Sequence, residues 1–390
     1  MHKTYYGSVY NSLSRFSGNK FKIQKGAVSS KLRTYLQDPF LKLLWTEIRK
    51  AGSLKSISLD ITHACNLRCT GCYFFEEGMD KKESPKDETI FDDFIKKEKE
   101  RGTNFVTIVG GEPSLVINRI KKIYDNFHTS VATNGIRKIP FEGLENLPIG
   151  ISVWGNENTD KILRGGDKID VFQKALKNYK DDPRAFWYYT VAPGNANEVE
   201  WVVERCIGNG NYILFNYYSD INNLGGKLGY RQGFDKARQA IDKMIKQYPD
   251  KILMTSYFNK IISTGQLFDE KWGYDVCTNL STNYELNFER FENGHPYNPH
   301  FRAYHADFKT TRRCCTGIFR DCDSCFDTWE HFSWIMINLK KHLKSKQDFT
   351  NWLTTMYLFY LITRIIDFEK GVKLLPEIHR RVSSVGTHVY

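Results

Sequence analysis

From residue 56 onward, short runs of apolar residues alternate with longer polar segments whose apolar positions recur at helical spacing. Six of the short runs have the length and composition of strands: SISLDIT (56–62), FVTIVGG (105–111), TSVATNG (129–135), IGISVWG (149–155), AFWYYTV (185–191) and YILFNYY (212–218). The polar segments predict helices at Glu88–Arg101, Ile117–Phe127, Val171–Tyr179, Glu198–Ile207 and Phe234–Tyr248. The connection IRKIPFEGLEN (136–146), between the third and fourth strands, has no clear pattern.

This repeated order of strand and helix predicts an α/β fold with a parallel sheet and right-handed crossovers. A barrel and an open doubly wound sheet both satisfy the pattern, so periodicity alone does not separate them. In both architectures, functional residues collect at the carboxyl ends of the strands.

The flanking regions have a different pattern. Residues 1–50 form an N-terminal extension, in which Pro39 breaks or starts a predicted helix. The strand–helix order ends at about residue 260, so residues 51–260 are predicted as the α/β unit and residues 261–390 as a mainly helical C-terminal region. Two aromatic-rich helices are predicted there, at Trp329–Leu343 and Phe349–Phe368, packing onto the sheet or closing its open end. Their aromatic side chains favour a core role over a greasy substrate face or membrane-surface face.

The composition adds a basic charge balance. The 390 residues carry 56 Lys and Arg against 45 Asp and Glu, which gives a net charge of +11 and a pI near 9.0. Because the charges are scattered over helix-like segments, they favour solvated faces. The alternative is an anionic partner such as nucleic acid, a membrane surface of anionic lipids or a phosphorylated substrate.

The chain has neither a signal-peptide pattern at its N-terminus nor an apolar run as long as the roughly 20 residues that span a bilayer. We therefore expect a cytoplasmic protein without a transmembrane segment. In that reducing compartment, an odd number of clustered cysteines, nine in all, indicates metal binding rather than disulfides.

Three of the cysteines lie within eight residues, in THACNLRCTGCYFF (62–75), with the spacing Cys65-x3-Cys69-x2-Cys72. On a helix, this spacing would place all three thiols on one face. The preceding strand and the residues Asn66, Thr70 and Gly71 instead favour an irregular loop. A tetrahedral zinc site needs a fourth ligand, for which His63 is the nearest candidate. An iron–sulfur cluster held by three thiolates instead keeps one iron open for a substrate or cofactor.

A second motif, TIVGGEPSL (107–115), closes the second predicted strand. Together, the two motifs over about residues 55–260 resemble those of the radical S-adenosylmethionine (radical SAM) enzymes. That resemblance implies a partial (β/α)6 TIM-like barrel. One departure concerns Gly71, since the family often has an aromatic residue just before the third cysteine; here Tyr73 and Phe74 follow it instead.

The resemblance also implies cofactors. Cys65, Cys69 and Cys72 would hold a [4Fe–4S] cluster whose fourth iron chelates S-adenosylmethionine. Reductive cleavage would then give a 5′-deoxyadenosyl radical, with electrons from a flavodoxin- or ferredoxin-like donor. The residues implied in cofactor binding are Tyr73, Gly110, Gly111, Glu112, Pro113, Asn134 and Ser152. Among them, the two glycines would let the backbone approach the methionyl group, and Glu112 would hold its ammonium.

A second group of cysteines lies near the C-terminus, in CCTGIFRDCDSC (314–325). Adjacent cysteines in an extended chain point in opposite directions, so one of Cys314 and Cys315 is expected to face a metal. The predicted auxiliary site consists of Cys277, Cys315, Cys322 and Cys325. Its spacing loosely resembles the SPASM and twitch extensions of larger radical SAM enzymes, which implies an auxiliary [4Fe–4S] cluster; zinc and no metal are the alternatives. Cys206 is expected to be a buried structural residue.

The leading prediction is a radical SAM enzyme whose radical abstracts hydrogen from, or adds to, a peptide, a lipid or a small metabolite. An RNA-modifying enzyme is one alternative, although no RNA-binding module is recognised. A non-catalytic iron–sulfur scaffold or sensor is the other, and the intact Gly110–Glu112 stretch argues against it.

Overall fold

The computed structural model of the chain describes residues 30–52, 54–76, 78–219, 233–272, 301–312 and 325–382. Their strands are β1 (Ser56–Asp60), β2 (Phe105–Val109), β3 (His128–Thr133), β4 (Ile149–Val153), β5 (Ala185–Val191), β6 (Tyr212–Tyr217), β7 (Gln266–Leu267), β8 (Glu270–Lys271), β9 (Arg302–Tyr304) and β10 (Thr311–Arg312). All six strands predicted from the sequence are found, as β1 to β6.

The strand order identifies the type of α/β fold. Strands β1 to β6 lie side by side in chain order, and each is parallel to the next. Right-handed crossovers that always advance in one direction leave their helices on the same face, so the sheet curls. A doubly wound sheet would reverse its order partway. The predicted α/β partial barrel is therefore confirmed.

The helices are α1 (Pro39–Ala51), α2 (Tyr73–Glu76), α3 (Glu88–Arg101), α4 (Ile117–Tyr124), α5 (Glu157–Gly165), α6 (Val171–Asn178), α7 (Val199–Gly208), α8 (Asp235–Gln247), α9 (Ser256–Thr264), α10 (Thr328–Ile337), α11 (Leu339–His342), α12 (Lys346–Ile362), α13 (Phe368–Gly371) and α14 (Leu375–Arg381). Helix α3 has the predicted bounds because both ends are capped: Asp87 accepts from the Thr89 amide, and Gly102 ends the helix at φ 81°. The patternless connection between β3 and β4 contains no helix.

Helix α5 was not predicted. It is a short, mostly polar helix between turn residues, with only Asp160, Arg164 and Gly165 buried. Asn156 caps its start by accepting hydrogen bonds from the Asn158 and Thr159 amides. A helix with so few buried positions has little apolar periodicity, which is why the hydrophobic pattern did not reveal it.

The C-terminal region packs against both ends of the barrel sheet. At one end β9 pairs in parallel with β1, and β10 pairs antiparallel with β9. At the other end the Thr328 hydroxyl, at the start of α10, donates to the Phe215 carbonyl in β6 at 2.9 Å. Strands β9 and β10 were not predicted, because two or three residues of strand carry no periodicity of their own.

The two predicted aromatic-rich helices are present as α10 with α11, which Asn338 separates, and as α12. Their rings are largely in the core; Phe332, Trp334 and Phe349 are fully buried. Helix α12 also packs on α1, where the rings of Trp45 and Trp352 lie 6.3 Å apart. Because β9 pairs with β1, the sheet contains residues from both sides of the predicted boundary at residue 260. The division of the chain into three parts stays a prediction.

Within the described residues, every helix is too short or too polar to cross a lipid bilayer.

Candidate functional site

The three clustered cysteines lie on an irregular loop that follows β1. No residue from 61 to 72 is helical, and α2 begins directly after Cys72, whose carbonyl accepts from the Phe75 and Glu76 amides at 3.1 and 3.2 Å. All three thiols are free and half-buried. The arrangement with three thiols on one helix face is therefore excluded.

The three thiols are half-buried and lie close enough to affect one another's pKa values. Burial raises the pKa of Cys65 to about 11 and of Cys72 to about 12, and it also raises the pKa of Cys69. The Cys69 sulfur raises the pKa of both other thiols further. Without a metal the three groups are thus protonated thiols, and metal binding would take their protons.

Among the described residues, no group of three or more Cys, His, Asp or Glu side chains is arranged to hold a single metal ion. A four-iron cluster is wider than one ion, so its thiolate ligands stand farther apart around it. The donor set, three thiols on one loop, is of the kind that would hold a cluster at three corners. His63, the candidate fourth ligand of a zinc site, is buried.

The GGE stretch at the end of β2 contacts the thiol loop directly. A Cβ atom at Gly110 would lie 2.5 Å from the Asp60 Cα, and one at Gly111 would lie 2.0 Å from the Ala64 carbonyl oxygen. The Glu112 amide donates to that same oxygen at 2.7 Å. The two glycines are thus required by backbone-to-backbone contact within the protein, and their role in cofactor binding stays a prediction.

Glu112 is a buried carboxylate, 1% exposed. Its oxygens accept from the Ser114 amide at 2.9 Å, the Thr133 hydroxyl at 2.5 Å and the Asn134 amide at 2.9 Å. Pro113 is likewise buried and begins the turn of 3-10 helix that Glu112 caps. No Lys, Arg or His of the described residues pairs with this carboxylate. Its charge also raises the pKa of Cys65 and of Cys69, so the carboxylate lies near the thiols.

The carboxyl ends of β3 and β4 also lie near the thiol loop. The Asn134 side chain donates to the Asn66 side chain, within the thiol loop, at 2.7 Å. Ser152 is half-buried in β4, and its carbonyl accepts from Arg164 at 2.6 Å. Half-buried Tyr73 is the first residue of α2. The roles predicted for Tyr73, Asn134 and Ser152 in binding a cofactor stay predictions.

Helix α5 adds residues that the sequence reasoning missed. The Leu163 carbonyl accepts from the Thr70 amide at 2.8 Å, which holds the thiol loop on the helix. Arg164 donates to Asp160 at 3.0 Å. Its charge lowers the pKa of the Cys69 thiol, so the guanidinium lies near the thiol loop. The signal available in the sequence was the Asp-x3-Arg spacing, which places both side chains on one face of a helix.

Two further neighbours of the loop come from distant parts of the chain. Arg312 in β10 forms a buried salt bridge with Asp60, and its guanidinium lies 5.4 Å from the centre of the Tyr73 ring. A Cβ atom at Gly71 would lie 2.2 Å from the Tyr218 hydroxyl oxygen, so Tyr218 fills the space of a side chain there.

Of the predicted auxiliary site, Cys277, Cys315 and Cys322 lie outside the described residues, as does Cys314. Cys325 is half-buried and lies just before α10. The auxiliary site therefore stays a prediction. Cys206 is fully buried in α7, as expected of a structural cysteine.

Comparison with known proteins finds relatives of part of the chain. The profile of the radical SAM superfamily matches residues 59–200. The sporulation killing factor maturation protein SkfB of Bacillus subtilis is 28% identical over 194 residues, which cover 44% of this chain and 46% of that protein. The GTP 3′,8-cyclase of Lactiplantibacillus plantarum is 32% identical over 127 residues, or 28% of this chain and 37% of that protein. The chain thus spans less than half the length of these curated relatives.

Solved structures resemble the chain weakly. The structure of native anSMEcpe with bound AdoMet has a TM-score of 0.48 and 16% identity, and the match covers 75% of this chain and 84% of that one. Streptococcus suis SuiB bound to precursor peptide SuiA has a TM-score of 0.40 and 16% identity, with 53% and 50% covered. Scores this low support no functional inference.

Proposed function

Since residues 59–200 of this chain match the model of the radical SAM superfamily, we propose that the protein is a radical SAM enzyme. In this proposal Cys65, Cys69 and Cys72 hold a [4Fe–4S] cluster, and S-adenosylmethionine binds beside it. One observation carries the proposal. Three free thiols on a single loop adjoin a buried carboxylate, Glu112, that has no cationic partner among the described residues. A cationic ligand beside the thiols would relieve the cost of burying that charge.

When bound, the cluster and S-adenosylmethionine supply the reductive cleavage of a C–S bond, which gives methionine and a 5′-deoxyadenosyl radical. The chain's own residues bind and orient these groups. The three thiols lose their protons on binding metal, and their common loop provides three ligands rather than the usual four. We infer a flavodoxin- or ferredoxin-like protein as the electron donor.

Glu112 is proposed to bind the ammonium of S-adenosylmethionine. The Thr133 hydroxyl and the Asn134 amide hold its two oxygens in place, so the carboxylate needs no rearrangement to accept a ligand. A neutral residue at this position would make the same turn but would leave the ammonium buried without a counter-charge.

We propose a peptide or protein as the substrate. The support is the relative SkfB, which by its name matures a sporulation killing factor. A nucleotide is the second candidate, because other relatives are by name GTP 3′,8-cyclases, and the net charge of +11 suits a phosphorylated substrate.

The first test is the Cys65→Ala/Cys69→Ala/Cys72→Ala variant, reconstituted anaerobically with iron and sulfide. We expect it to lose cluster iron and to form no 5′-deoxyadenosine with dithionite and S-adenosylmethionine, whereas the wild type does both. Cys206→Ala, at a buried cysteine in α7, is the control and should keep both properties.

If the triple variant still formed 5′-deoxyadenosine, the proposed site would be wrong. A wild type that held iron but never cleaved S-adenosylmethionine would support a non-catalytic scaffold instead. Iron that remained in an inactive triple variant would reveal a second metal site.

Glu112→Gln tests the ammonium site. We expect an affinity for S-adenosylmethionine at least tenfold lower, about 1.4 kcal/mol, with unchanged iron content. The exposed Glu100→Gln, in α3, is the matched control. If Glu112→Gln bound S-adenosylmethionine with the affinity of the wild type, the role of Glu112 would be only to cap the turn.

The peptide and nucleotide classes are distinguished by adding either GTP or synthetic peptides to the reconstituted protein. The peptide sequences are taken from short reading frames next to the gene of this protein. A true substrate should accelerate 5′-deoxyadenosine formation and change mass in step with it. Consumption of GTP with no response to the peptides would favour the nucleotide candidate.

A further inference from the structure

The inner face of the curled sheet is identified from the packing of its outer face. The Trp187 ring packs on Phe172 of α6 with ring centres 5.4 Å apart, so Trp187 faces the surrounding helices. Because neighbouring residues of a strand point to opposite faces, Tyr188 faces the interior of the sheet. The register extends this assignment to the next strands, since Tyr188 pairs with Ser152 in β4 and with Leu214 in β6.

The interior of the sheet is accessible to solvent. Each strand from β2 to β6 has a half-buried residue on its inner face; these residues are Thr107, Ala132, Ser152, Tyr188 and Asn216. The outward-facing neighbours on both sides of each one are at most 3% exposed. The helices therefore close the outer face, whereas the inner face borders a space that a ligand can enter.

One wall of this space consists of small side chains. Ser58, Thr107 and Ser130 lie in register on the inner face of β1, β2 and β3. The Ser130 hydroxyl donates to the Thr107 hydroxyl at 3.4 Å. Short side chains that bond to one another leave room in front of them for a ligand.

The opposite wall is aromatic. The Tyr188 ring in β5 lies 6.4 Å from the ring of Trp329, at the start of α10. The residue before this tryptophan is fixed on β6, because the Thr328 amide and hydroxyl donate to the Asn216 side chain at 3.1 and 3.0 Å. The C-terminal region thus contributes an aromatic ring to the interior of the barrel.

The mouth of the space adjoins the thiol loop. Trp154 and Tyr218 directly follow β4 and β6, and their rings contact each other edge to face at 5.7 Å. The Tyr218 hydroxyl lies against Gly71 of the loop. A group that enters the interior therefore lies next to the loop that carries the three cysteines.

The charges of the interior are already paired. From the middle of each strand to its carboxyl end, Asp60 is the one charged side chain on the inner face among the described residues of β1 to β6, and it pairs with Arg312. A triphosphate would be buried there without a cation to compensate its charge. Burial of an apolar side chain against the aromatic wall is instead favourable.

We propose that this interior binds the reacting side chain of a peptide substrate, that this side chain is uncharged and apolar, and that Tyr188 and Trp329 are specificity-determining residues that pack against it. The inference rests on the proposed function, because it requires a radical that forms beside the thiol loop. It deepens that function by selecting the peptide over the nucleotide.

The experiment measures binding to the reconstituted protein in the presence of S-adenosylmethionine, by anaerobic isothermal titration calorimetry. The probes are GTP and four acetylated and amidated tripeptides Gly-X-Gly, in which X is Phe, Leu, Lys or Asp. We expect the peptides with Phe and Leu to bind at least tenfold more tightly than the peptides with Lys and Asp and than GTP.

Tyr188→Ala and Trp329→Ala, tested separately, should each weaken binding of the Phe peptide about tenfold. Tyr188→Phe keeps the ring and should retain the affinity of the wild type. The matched control is Trp201→Ala, since Trp201 is an aromatic residue of α7 that is 42% exposed on the outside of the barrel. If one alanine variant fails to fold, the other provides the measurement, and the ranking of the probes by the wild type needs neither.

Three results would overturn the inference: equal or tighter binding of a charged peptide or GTP by the wild type, no binding of any peptide, or undiminished affinity for the Phe peptide in both alanine variants. Failure of the proposed function gives a different result, because the wild type would then form no 5′-deoxyadenosine with dithionite and S-adenosylmethionine, whatever the peptides bind. The two failures are therefore distinguishable.

Discussion

At the scale of single residues, Gly71 is under two separate constraints. Its φ of +67° is in the left-handed region, and the space beside its Cα is filled by the Tyr218 hydroxyl. The rings of Tyr218 and Trp154 contact each other edge to face at 5.7 Å, so the tyrosine has little freedom to withdraw. This packing accounts for a glycine just before the third cysteine, where the sequence showed only a departure from the family pattern.

We predict that Gly71→Ala lowers iron content after reconstitution, because the added methyl group displaces the loop that carries Cys69 and Cys72. Gly78→Ala is the matched control, since Gly78 has φ +65° but no atom closer than 3.9 Å to the added carbon. The control should lose only about 1 to 2 kcal/mol of unfolding free energy and retain its iron. Equal iron contents in the two variants would contradict this packing argument.

At the scale of elements, β9 and β10 join the C-terminal region to the first strand of the barrel. Their pairing brings Arg312 to Asp60, a contact between residues 252 positions apart. Both side chains are buried, at 7% and 0% exposure. Removing one partner of such a pair leaves the other charge buried without a counter-charge.

We predict that Arg312→Gln lowers the free energy of unfolding by about 3 to 5 kcal/mol, measured by urea denaturation. Asp60→Asn/Arg312→Gln should lose less, because no charge is then left unpaired. The control is Arg238→Gln in the more exposed pair with Asp235, where the expected loss is below about 1 kcal/mol. A loss in the double variant larger than in Arg312→Gln would rule out the charge argument.

At the scale of the whole molecule, buried histidines link stability to pH. His342 in α11 is fully buried and lies 2.7 Å from the Tyr257 hydroxyl in α9. Burial lowers the pKa of His342 to about 4. Between that value and its ordinary pKa of about 6.5, the unfolded chain binds a proton that the folded chain does not, so stability falls as pH falls through this window.

We predict that the free energy of unfolding falls less in His342→Gln than in the wild type when the pH is lowered from 7 to 4.5. The folded pKa of about 4 and the ordinary pKa of about 6.5 give an expected difference of about 2 kcal/mol. Urea denaturation at both pH values measures it. His128→Gln is the control, because the exposed His128 ring is hydrated in both states. An identical loss in His342→Gln and the wild type would show that this histidine is not responsible.

The sequence by itself determined the six strands of the barrel, most of its helices, the three-cysteine loop and the GGE stretch. These features depend on the spacing of neighbouring residues, and spacing is a local property that periodicity and motifs record directly. For the same reason the sequence singled out Glu112 within its motif, while its hydrogen-bond partners Thr133 and Asn134 were not assigned to it.

Only the tertiary structure decided which residues surround the thiols. It distinguished a barrel from an open sheet by the order of strand pairing, and it brought Arg164, Arg312 and Tyr218 to the loop from three separate segments. Each of these contacts joins residues far apart in the chain, so nothing in the local pattern near either partner encodes it. Such contacts follow from how the curled sheet places the ends of its strands beside one another.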